Sequence, residues 1–413
     1  MDGSPRGGSR RSFFQSKTVR RKSAAKLIDA GRAVHRIESL EARALLAADT
    51  GINYLSYQAL SGAVAGMSPQ YEVASSDGLT PLASTSPVGL TPSKIRAAYG
   101  FDQITFGNGV AGDGSGQTIA IVDAFHDPNI QSDLHNFDLA FGIADPPSFR
   151  QVAQDGSTNY PGVDSTGGWE TEIALDVEWA HALAPGANIL LVEASSSSDS
   201  NLIQTAVNYA RSQPGVVAVS MSFSGSEFSS EGSSFDSFFT TPSGHNGVTF
   251  LAATGDDGAP SGYPAYSPNV VAVGGTMLSV GSNGAYGSET GWSGSGGGLS
   301  SFEGQPSYQN GIVTQSSTSR GNPDVAFDAD PNSGVAVYDS YNNPSAPWIQ
   351  VGGTSFSTPS WAALIAVTDQ GRSAAGLGTL DGRTQTLPML YQLPATDFHD
   401  ITSGNNGNAA GPG

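Results

Sequence analysis

The sequence contains no cysteine, which excludes disulfide bonds and thiol chemistry. Charged residues make up only 13% of its 413 residues, and no apolar run approaches the roughly 20 residues of a membrane-spanning helix. Histidine, the side chain that titrates nearest to neutral pH, occurs only six times. Glycine, in contrast, occurs 53 times, so we expect a globular, loop-rich protein with one large or two ordinary domains.

The few charged residues are unevenly distributed. Residues 1–43 hold 11 of the 18 basic and 4 of the 37 acidic side chains, so the remainder carries 7 against 33, a net charge of −26. Such an acidic body repels nucleic acid and anionic membrane surfaces. It suits acid conditions, where protonation of carboxylates relieves the self-repulsion, although acidic proteins that act near neutrality look similar.

The basic arm, residues 1–49, is interpreted as a removable targeting sequence. Residues 9–15 read S-R-R-S-F-F-Q, which is similar to a twin-arginine export signal, but the apolar run that should follow is replaced by basic residues 16–35. Residues 36–48 resemble an element near the N-termini of large exported bacterial proteins. We therefore expect a bacterial protein that is secreted or held in the cell envelope.

Residues 50–90 are rich in Ser, Gly, Ala and Pro without a sustained period, which predicts a linker or a short pro-segment. Residues 91–413 are expected to form one domain, in which short apolar runs alternate with helical patterns. The predicted strands are residues 118–122, 189–192, 216–219, 248–252, 270–273 and 335–338, and the predicted helices are 129–141, 172–183 and 202–212. Apolar runs without polar alternation are typical of strands buried on both faces, so a parallel α/β sheet covered by helices is predicted.

Residues 351–367, V-G-G-T-S-F-S-T-P-S-W-A-A-L-I-A-V, carry a candidate nucleophile. Two glycines allow a sharp turn before Ser355, and Pro359 is compatible with a first helical turn ahead of an apolar helix over residues 361–367. Ser355 is therefore expected at a helix N-terminus, where free N–H groups would support a developing negative charge. The alternative is a Ser/Thr-rich loop with a capping serine.

Residues 169–187 predict a largely buried helix, because apolar side chains surround nearly its whole circumference. Glu172 and Asp176 lie one turn apart on one face, close enough to share a proton or hydrogen bond, whereas Glu170 and Glu178 do not share that face. In a buried pair, desolvation and like charge raise one pKa, which makes a carboxylate a usable general base at acid pH. The alternative is a solvated acidic stripe.

Seven segments stand in a characteristic order along the chain. They are T-P-S-K-I-R-A-A-Y (91–99), G-Q-T-I-A-I-V-D (116–123), E-I-A-L-D-V-E (172–178), V-S-M-S-F-S-G (219–225), A-T-G-D-D-G (253–258), G-N-P-D-V-A (321–326) and G-G-T-S-F-S-T-P (352–359). In this order they resemble the sedolisins, serine-carboxyl peptidases, from about residue 91 to the last residue. The resemblance implies a subtilisin-like α/β fold, a doubly wound, mostly parallel sheet flanked by helices.

The resemblance also implies roles for four residues. Ser355 would be the nucleophile, Glu172 its general base and Asp176 the acid that orients the glutamate. Asp256 matches the family's oxyanion-hole aspartate, which must be protonated to donate a hydrogen bond and so ties activity to acid. The residues alone leave open that Asp256 is a turn residue, or that Asp257 takes its place.

The chain offers no obvious histidine base. His126 follows the strand that ends at Asp123, and His181 lies on the carboxylate helix but not beside an acid in the sequence, so both are interpreted as surface or packing residues. Asp123 is like an acid that extends the carboxylate network in some sedolisins. Phe223 departs from the family, many members of which carry tryptophan there.

The last residues resemble the calcium loop of the family, in which an aspartate, the carbonyl of the next residue, two glycine carbonyls and a final aspartate bind the ion. The resemblance implies one structural Ca²⁺ with the ligands Asp400, Ile401, Gly411 and Gly413. The final aspartate does not follow, so we expect the domain to be incomplete at its C-terminal end and calcium to bind weakly. A disordered Gly/Asn-rich tail is the alternative.

The resemblance implies an acid-acting endopeptidase that hydrolyses proteins or peptides through an acyl-enzyme, with no nucleic-acid partner and as a monomer. Three alternatives stay open: a tripeptidyl-peptidase, a neutral subtilase with a distant histidine, and a catalytically silent binding domain that kept the fold. The complete set of one serine and three carboxyl groups argues against a silent domain, because a binding module has no need of it.

Overall fold

The computed structural model describes Met1 and residues 17–19, 53–56, 66–75 and 81–410. In chain order the strands are β1 (Lys17–Val19), β2 (Asn53–Ser56), β3 (Ser68–Pro69), β4 (Glu72–Ser75), β5 (Thr105–Phe106), β6 (Val110–Ala111), β7 (Thr118–Ala124), β8 (Phe149–Ala153), β9 (Asn188–Ala194), β10 (Val216–Met221), β11 (Phe223–Ser224), β12 (Thr249–Ala253), β13 (Val271–Val280), β14 (Tyr286–Gly291), β15 (Gly298–Gly304), β16 (Ser319–Asn322), β17 (Val325–Asp328), β18 (Val335–Tyr338), β19 (Trp348–Gly352) and β20 (Phe398–Asp400).

The α-helices are α1 (Pro92–Tyr99), α2 (Ile130–Phe141), α3 (Gly168–Leu183), α4 (Asn208–Ala210), α5 (Glu231–Phe235), α6 (Thr354–Ala374) and α7 (Leu387–Gln392). Two π-helical segments cover Ser200–Val207 and Gly382–Thr386. Among the residues described, no helix has both the length and the apolar character that a membrane crossing requires.

A mostly parallel sheet of eight strands forms the centre of the described chain. Its order is β14-β13-β12-β10-β7-β9-β8, and β17 also pairs with β13. Every pair is parallel except that of β13 with β14. Helices α3 and α6 both contact β7, and α6 also contacts β10 and β12. The Ser200–Val207 segment contacts β7 and β9. The predicted α/β architecture is therefore confirmed.

One predicted strand belongs to a different sheet. Val335–Tyr338 forms β18, but it pairs antiparallel with β19 in a four-stranded sheet of order β18-β19-β4-β2. The prediction of a parallel partner was wrong because this sheet is covered by helices α2 and α3, so its residues are as apolar as those of a parallel strand. Burial can be deduced from such a run, whereas strand direction cannot.

The two helices that carry the candidate catalytic residues pack directly against each other. Trp179 on α3 and Phe356 on α6 meet edge to face, with ring centroids 4.9 Å apart. Every residue of α3 is buried, and so are the first 18 residues of α6. The apolar circumference that predicts burial of α3 thus brings its acidic residues to the beginning of α6.

Helix α6 begins at Thr354, earlier than the sequence predicts, and Pro359 lies inside it. Proline has no N–H, so Pro359 cannot donate to the carbonyl of Ser355, four residues before it. That carbonyl lies 3.3 Å from the Ser222 hydroxyl, which shares its one hydrogen with the nearer Oδ1 of Asp176 at 2.8 Å. A neighbouring strand end thus supplies part of the missing hydrogen bond.

Part of the region predicted as a linker or pro-segment is extended and packed against the domain. Ser68–Pro69 pairs antiparallel with Phe223–Ser224, and Glu72–Ser75 pairs antiparallel with β19. The apolar residues Met67, Tyr71 and Val73 of this segment are each 2% exposed. These residues therefore contribute to the packed structure.

Candidate active site

Ser355 occupies the second position of α6, at the end where backbone N–H groups are free. Its hydroxyl donates to the carbonyl oxygen of Ser222 at 3.1 Å and accepts from the backbone N–H of Gln70, also at 3.1 Å. Gly353 precedes the helix with a φ of 118°, and a Cβ there would clash with the Gln70 carbonyl oxygen and with Asp256 Oδ2. Glycine is therefore required beside the candidate nucleophile.

Glu172 and Asp176 face Ser355 from α3, and both are fully buried, so the alternative of a solvated acidic stripe is wrong. Asp176 Oδ1 accepts a hydrogen bond from the Ser222 hydroxyl at 2.8 Å. Three of the other oxygens have no hydrogen-bond partner among the described residues: both oxygens of Glu172 and Oδ2 of Asp176. The hydrogen bond from Ser222 thus fixes the position of Asp176, and no cation among the described residues balances the charge of either carboxyl group.

Burial is the largest cause that raises the pKa of both Glu172 and Asp176 well above their ordinary values. The charge of Asp176 raises the pKa of Glu172 further, and the Ser355 hydroxyl, which contacts Glu172, opposes part of this rise. Groups this close exchange protons as a unit. The pair thus takes up protons well above the pH range of ordinary carboxyl groups.

Asp123 extends this network, as the family resemblance implies. It lies near the end of β7, is fully buried, and neither of its oxygens has a partner in the described chain. Burial and the neighbouring Glu193 raise its pKa to about 8, and its charge raises the pKa values of Glu172 and Asp176 in turn. Within the described residues no cation forms an ion pair with any of these three carboxyl groups.

Asp256 follows β12 and approaches the start of α6 from the sheet. Its Oδ1 accepts from the backbone N–H of Thr354 at 2.8 Å and from the Thr354 hydroxyl at 2.7 Å, while Oδ2 has no partner among the described residues. Burial first, then the charge of Glu72, raises the pKa of Asp256 well above its usual range. Asp257, in contrast, is exposed. A protonated Asp256 would carry its proton on Oδ2, because Oδ1 already accepts twice.

Two potential donors lie near one backbone carbonyl. The N–H of Ser355 donates to the carbonyl oxygen of Gln70 at 2.9 Å, and both this oxygen and Asp256 Oδ2 border the space that a Cβ of Gly353 would fill. An N–H at a helix terminus and a neutral carboxyl group are both suited to stabilise the oxyanion of a tetrahedral intermediate. The arrangement can therefore support attack of Ser355 on a carbonyl carbon.

Sequence reasoning missed three residues that build this site. Ser222, whose side chain holds Asp176 and whose carbonyl holds Ser355, was visible in V-S-M-S-F-S-G but carried no assigned role. Thr354 holds Asp256 and directly precedes Ser355 in the sequence. Gln70 had no signal, because it lies in a polar stretch without periodicity.

The histidines bind other acids. His126 Nδ1 lies 2.8 Å from Glu193, and His181 Nε2 lies 3.3 Å from Asp138. His181 is buried, as the interpretation as a packing residue implies, and its acidic partner Asp138 comes from α2, which packs on α3. No hydrogen bond or ion pair connects a histidine with Ser355 in the described part of the chain.

The expected calcium ligands are only partly described. Asp400 ends β20 and is exposed, Ile401 is buried, and Gly411 and Gly413 lie outside the described residues. The preceding Gly/Asn-rich loop is packed rather than disordered, because Asn406 donates to the carbonyl of Ser295 and accepts from the N–H of Ala259. Over the described ranges, no group of three or more His, Asp or Glu side chains could hold a metal ion.

Comparison with known proteins identifies the family. A model of the subtilase family matches residues 163–380. Kumamolisin of Bacillus sp. (strain MN-32) is 35% identical over 362 residues, which are 80% of this chain and 61% of kumamolisin. Tripeptidyl-peptidase 1 of Bos taurus is 29% identical over 77% of this chain and 58% of its own length. The chain thus spans about three-fifths of the length of these relatives.

The solved structure of Pseudomonas sedolisin, described as a serine-carboxyl proteinase complexed with two molecules of pseudo-iodotyrostatin, superposes with a TM-score of 0.65. It is 27% identical, and the match covers 79% of this chain and 93% of that structure. The family model alone matches more than half of the chain, and the relatives are those that the seven ordered segments predict. The chain therefore belongs to the subtilase family, and within that family it is similar to the sedolisins.

Proposed function

We propose that this protein is a serine-carboxyl endopeptidase that hydrolyses proteins in acid through an acyl-enzyme at Ser355. The observation that carries this proposal is that Ser355 faces the buried Glu172 and Asp176 pair while its N–H donates to the carbonyl oxygen of Gln70 and its hydroxyl accepts from the Gln70 N–H. Kumamolisin and sedolisin, which are similar over most of this chain, support a peptidase of this kind.

In this mechanism Glu172 accepts the proton of Ser355 as the hydroxyl oxygen attacks the carbonyl carbon. The hydroxyl, which donates to Ser222 in the resting arrangement, turns toward the free oxygens of Glu172. Asp176, fixed by the Ser222 side chain, holds the carboxyl group of Glu172 in place. The N–H of Ser355 and the neutral carboxyl group of Asp256 then stabilise the oxyanion.

The requirement for acid follows from Asp256. An ionised carboxylate would repel the oxyanion, so activity depends on the protonated form. Burial favours that form, and Oδ1 is occupied by two donors from Thr354, which leaves Oδ2 for the proton. We expect activity to fall as rising pH removes this proton.

An endopeptidase is favoured over a tripeptidyl-peptidase by the course of residues 66–75 through the site. Residues 66–70 lead up to the carbonyl whose oxygen accepts from the Ser355 N–H, and Ser68–Pro69 pairs antiparallel with β11, so five residues lie on this side of Ser355. A site that releases tripeptides needs to stop the chain after its third residue. Tripeptidyl-peptidase 1 is nevertheless a relative, so a substrate with a blocked N-terminus is the appropriate test.

The test is a pH-rate profile of kcat/KM on an unfolded protein substrate with blocked N-termini. We expect a bell-shaped profile of kcat/KM with its maximum below pH 7. The Asp256→Asn variant should be slower, and its kcat/KM should fall less on the alkaline side, because an amide can donate a hydrogen bond at every pH. Asp102→Asn, at an exposed residue, is the matched control and should leave the profile unchanged. An optimum near neutrality with a limb in the histidine range would support a conventional subtilase, and no cleavage of the blocked substrate would support tripeptidyl release.

The calcium site at Asp400, Ile401, Gly411 and Gly413 and the exported location stay predictions. The exposed Asp400 and the buried Ile401 are compatible with one carboxylate ligand and one carbonyl ligand, which are fewer than the roughly six to eight oxygens that calcium takes. An increase of Tm in calcium relative to chelator would support the site, since a ligand bound only by the folded state raises its stability. Equal values would refute it.

A further inference from the structure

The turn that follows β7 places His126 against Glu193 on the neighbouring strand β9. His126 Nδ1 lies 2.8 Å from Glu193 Oε2, and the side chain of Glu193 is fully buried whereas that of His126 is 17% exposed. The imidazole ring of His126 stacks on the ring of Tyr160, with centroids 4.5 Å apart and planes 7° from parallel. The pair thus joins a buried carboxyl group to the protein surface, outside the groups that take part in the proposed proton transfer.

Glu193 is bonded through both of its oxygens. Its Oε1 accepts from the Asp127 N–H at 3.1 Å and from Gln151 Nε2 at 2.7 Å. The second hydrogen of Gln151 Nε2 goes to the carbonyl of Asp127 at 2.8 Å, so His126 Nδ1 carries its own hydrogen and donates it to Oε2. Three donors favour the ionised form of a carboxyl group. In acid a histidine side chain also supplies a positive charge.

Asp123 is the register partner of Glu193 in the parallel pairing of β7 with β9, so both side chains lie on the same face of the sheet. Both are buried, but neither oxygen of Asp123 has a hydrogen-bond partner among the described residues. Burial and then the charge of Glu193 raise the pKa of Asp123 to about 8. Because two like charges disfavour each other in a buried site, the carboxyl group with three donors is ionised and its neighbour is neutral.

The protonation of Asp123 matters to the candidate base. After burial, the charge of Asp123 is the largest cause that raises the pKa of Asp176. After burial and the charge of Asp176, it also raises the pKa of Glu172. An ionised Asp123 would therefore hold this pair protonated, and a protonated Glu172 cannot accept the hydrogen of Ser355. A neutral Asp123 removes this obstacle.

We propose that His126 and Glu193 are positioning residues of the peptidase: they fix one negative charge behind Asp123, which stays neutral and leaves the catalytic glutamate free to ionise in acid. This inference rests on the proposed function. The three carboxyl groups then alternate in charge, with Glu193 ionised, Asp123 neutral, and Glu172 ionised when it acts as a base.

The other groups that face the pair leave this order undisturbed. Asp127, in the same turn, is neutral in acid, because burial is the main cause that raises its pKa to about 8. Tyr160 is an uncharged phenol in acid, and Gln151, the contact from β8, has no charge. The Ser200–Val207 segment, which contacts β7 and β9, has no titratable side chain. In the described part of the chain, His126 is the one cation paired with Glu193.

The first test is the acid limb of kcat/KM on unfolded protein. Without the charge of Glu193, Asp123 ionises before the Glu172–Asp176 pair and raises the pKa of that pair. Glu193→Gln should therefore move the limb to higher pH by about one unit. If the charge of Glu193 acted directly on the pair, its removal would move the limb to lower pH instead. His126→Gln, which keeps a donor but loses the cation, should move the limb in the same direction as Glu193→Gln and by less.

A second substitution shows whether Glu193 acts through Asp123. Asp123→Asn removes the group that would ionise, so the limb of the double variant Asp123→Asn with Glu193→Gln should coincide with that of Asp123→Asn alone. A limb that stays displaced in the double variant would overturn the proposal, because Glu193 would then act through the fold. His135→Gln is the matched control and should leave the limb in place, since His135 forms a similar ion pair of 2.9 Å with Asp145 but both side chains are more than half exposed.

The protonation of Asp123 can also be measured without catalysis. In the Ser355→Ala protein, protonated carboxyl groups are followed by their infrared absorption, and Asp123→Asn identifies the band of Asp123. This band should persist to about pH 8 and should disappear about one pH unit lower with Glu193→Gln. A melting transition shows that each variant is folded. Where Glu193→Gln does not fold, His126→Gln, at the partly exposed residue of the pair, gives the same test.

The outcomes separate this inference from the proposed function. If unfolded protein is hydrolysed while neither the infrared band nor the acid limb moves with Glu193→Gln, the positioning role is overturned and the peptidase function stands. A limb that moves to lower pH also overturns the positioning role. If the band moves but the unaltered chain hydrolyses no protein, the alternation of charge is supported and the proposed function fails.

Discussion

Two buried groups of charged residues in this molecule are built in opposite ways. The side chains of Arg320 and Asp324 are fully buried and form a two-point ion pair, with Nη1 2.8 Å from Oδ1 and Nη2 2.6 Å from Oδ2. Each carboxylate oxygen has a second donor, the Tyr391 hydroxyl at 2.6 Å and the Ala272 N–H at 2.8 Å. This pair meets the condition under which charge is tolerated inside a protein.

Glu172 and Asp123 are equally buried, yet neither has a hydrogen bond to either oxygen among the described residues. Other buried carboxyl groups, such as those of Glu170 and Glu178, have one bonded oxygen each. A buried carboxyl group without a partner destabilises the fold, and such groups are concentrated at sites where their protonation is used in a reaction. Burial alone thus does not mark the site; within the described residues, its carboxyl groups differ from Asp324 in that no cation pairs with them.

The largest expected effect concerns catalysis. Ser355→Ala and Glu172→Gln should each lower kcat by about 10⁴-fold or more, and the double variant should be hardly worse, because the two groups act as one unit. Ser360→Ala, at another buried serine of α6 that bonds only the Phe356 carbonyl, is the control and should retain turnover. Clean additivity of the two losses would contradict the assignment of nucleophile and base.

The second effect concerns stability at the paired site. Arg320→Met should lower the free energy of unfolding by about 3–5 kcal/mol, because it leaves Asp324 buried and unpaired. Replacing both residues, as Arg320→Met with Asp324→Leu, should recover part of this loss. Urea denaturation measures both, and a loss below about 1 kcal/mol for the single variant would show that the pair is not structural.

The third effect concerns the orientation and protonation of Glu172. The charge of Asp176 raises the pKa of Glu172, so Asp176→Asn should lower that pKa and move the acid limb of kcat/KM by about one pH unit to lower pH. Asparagine can still accept the hydrogen bond from Ser222, which keeps the geometry. Glu178→Gln, on the same helix but bonded to the Tyr338 N–H, should leave the limb in place. An unmoved limb in Asp176→Asn would show that the two carboxyl groups are not coupled.

The smallest effect concerns the whole fold. Burial raises the pKa of Asp127 to about 8 and that of Glu170 to about 7, so the folded state binds protons that the unfolded state releases. The stability from this uptake is complete below the unfolded pKa values near 4 and is lost as pH rises through 7 to 8. Tm of the Ser355→Ala protein should therefore fall by about 5 °C or more between acid and mild alkali. Asp127→Asn should flatten this dependence, and a Tm that rises with pH would contradict it.

Much of the site was predictable because its signals are local. The apolar circumference of α3 predicts burial of Glu172 and Asp176, and the turn before Ser355 predicts a helix N-terminus. Their meeting was not predictable from either pattern alone, since it depends on the packing of α3 against α6. The resemblance to sedolisins supplied that link.

What escaped prediction depends on contacts distant in sequence. Gln70 lies 285 residues before Ser355 and has no periodic pattern around it, because a peptide in a cleft is held by its backbone. Ser222 acts through its own carbonyl and hydroxyl. The sequence gives no sign of these contacts, because a serine in such a motif is equally typical of a turn. The Asp138 partner of His181 was hidden for the same reason.

Residues 66–75, which pair with the body on both sides of Ser355, have a final consequence in terms of mass action. A segment tethered to its own binding site has an effective concentration of about 1 mM, which an external peptide must match before it can occupy the cleft. In a solution of about 1 µM protein, the same segment as a separate peptide would be roughly a thousandfold less concentrated at the site. The tether thus makes occupancy of the cleft independent of dilution.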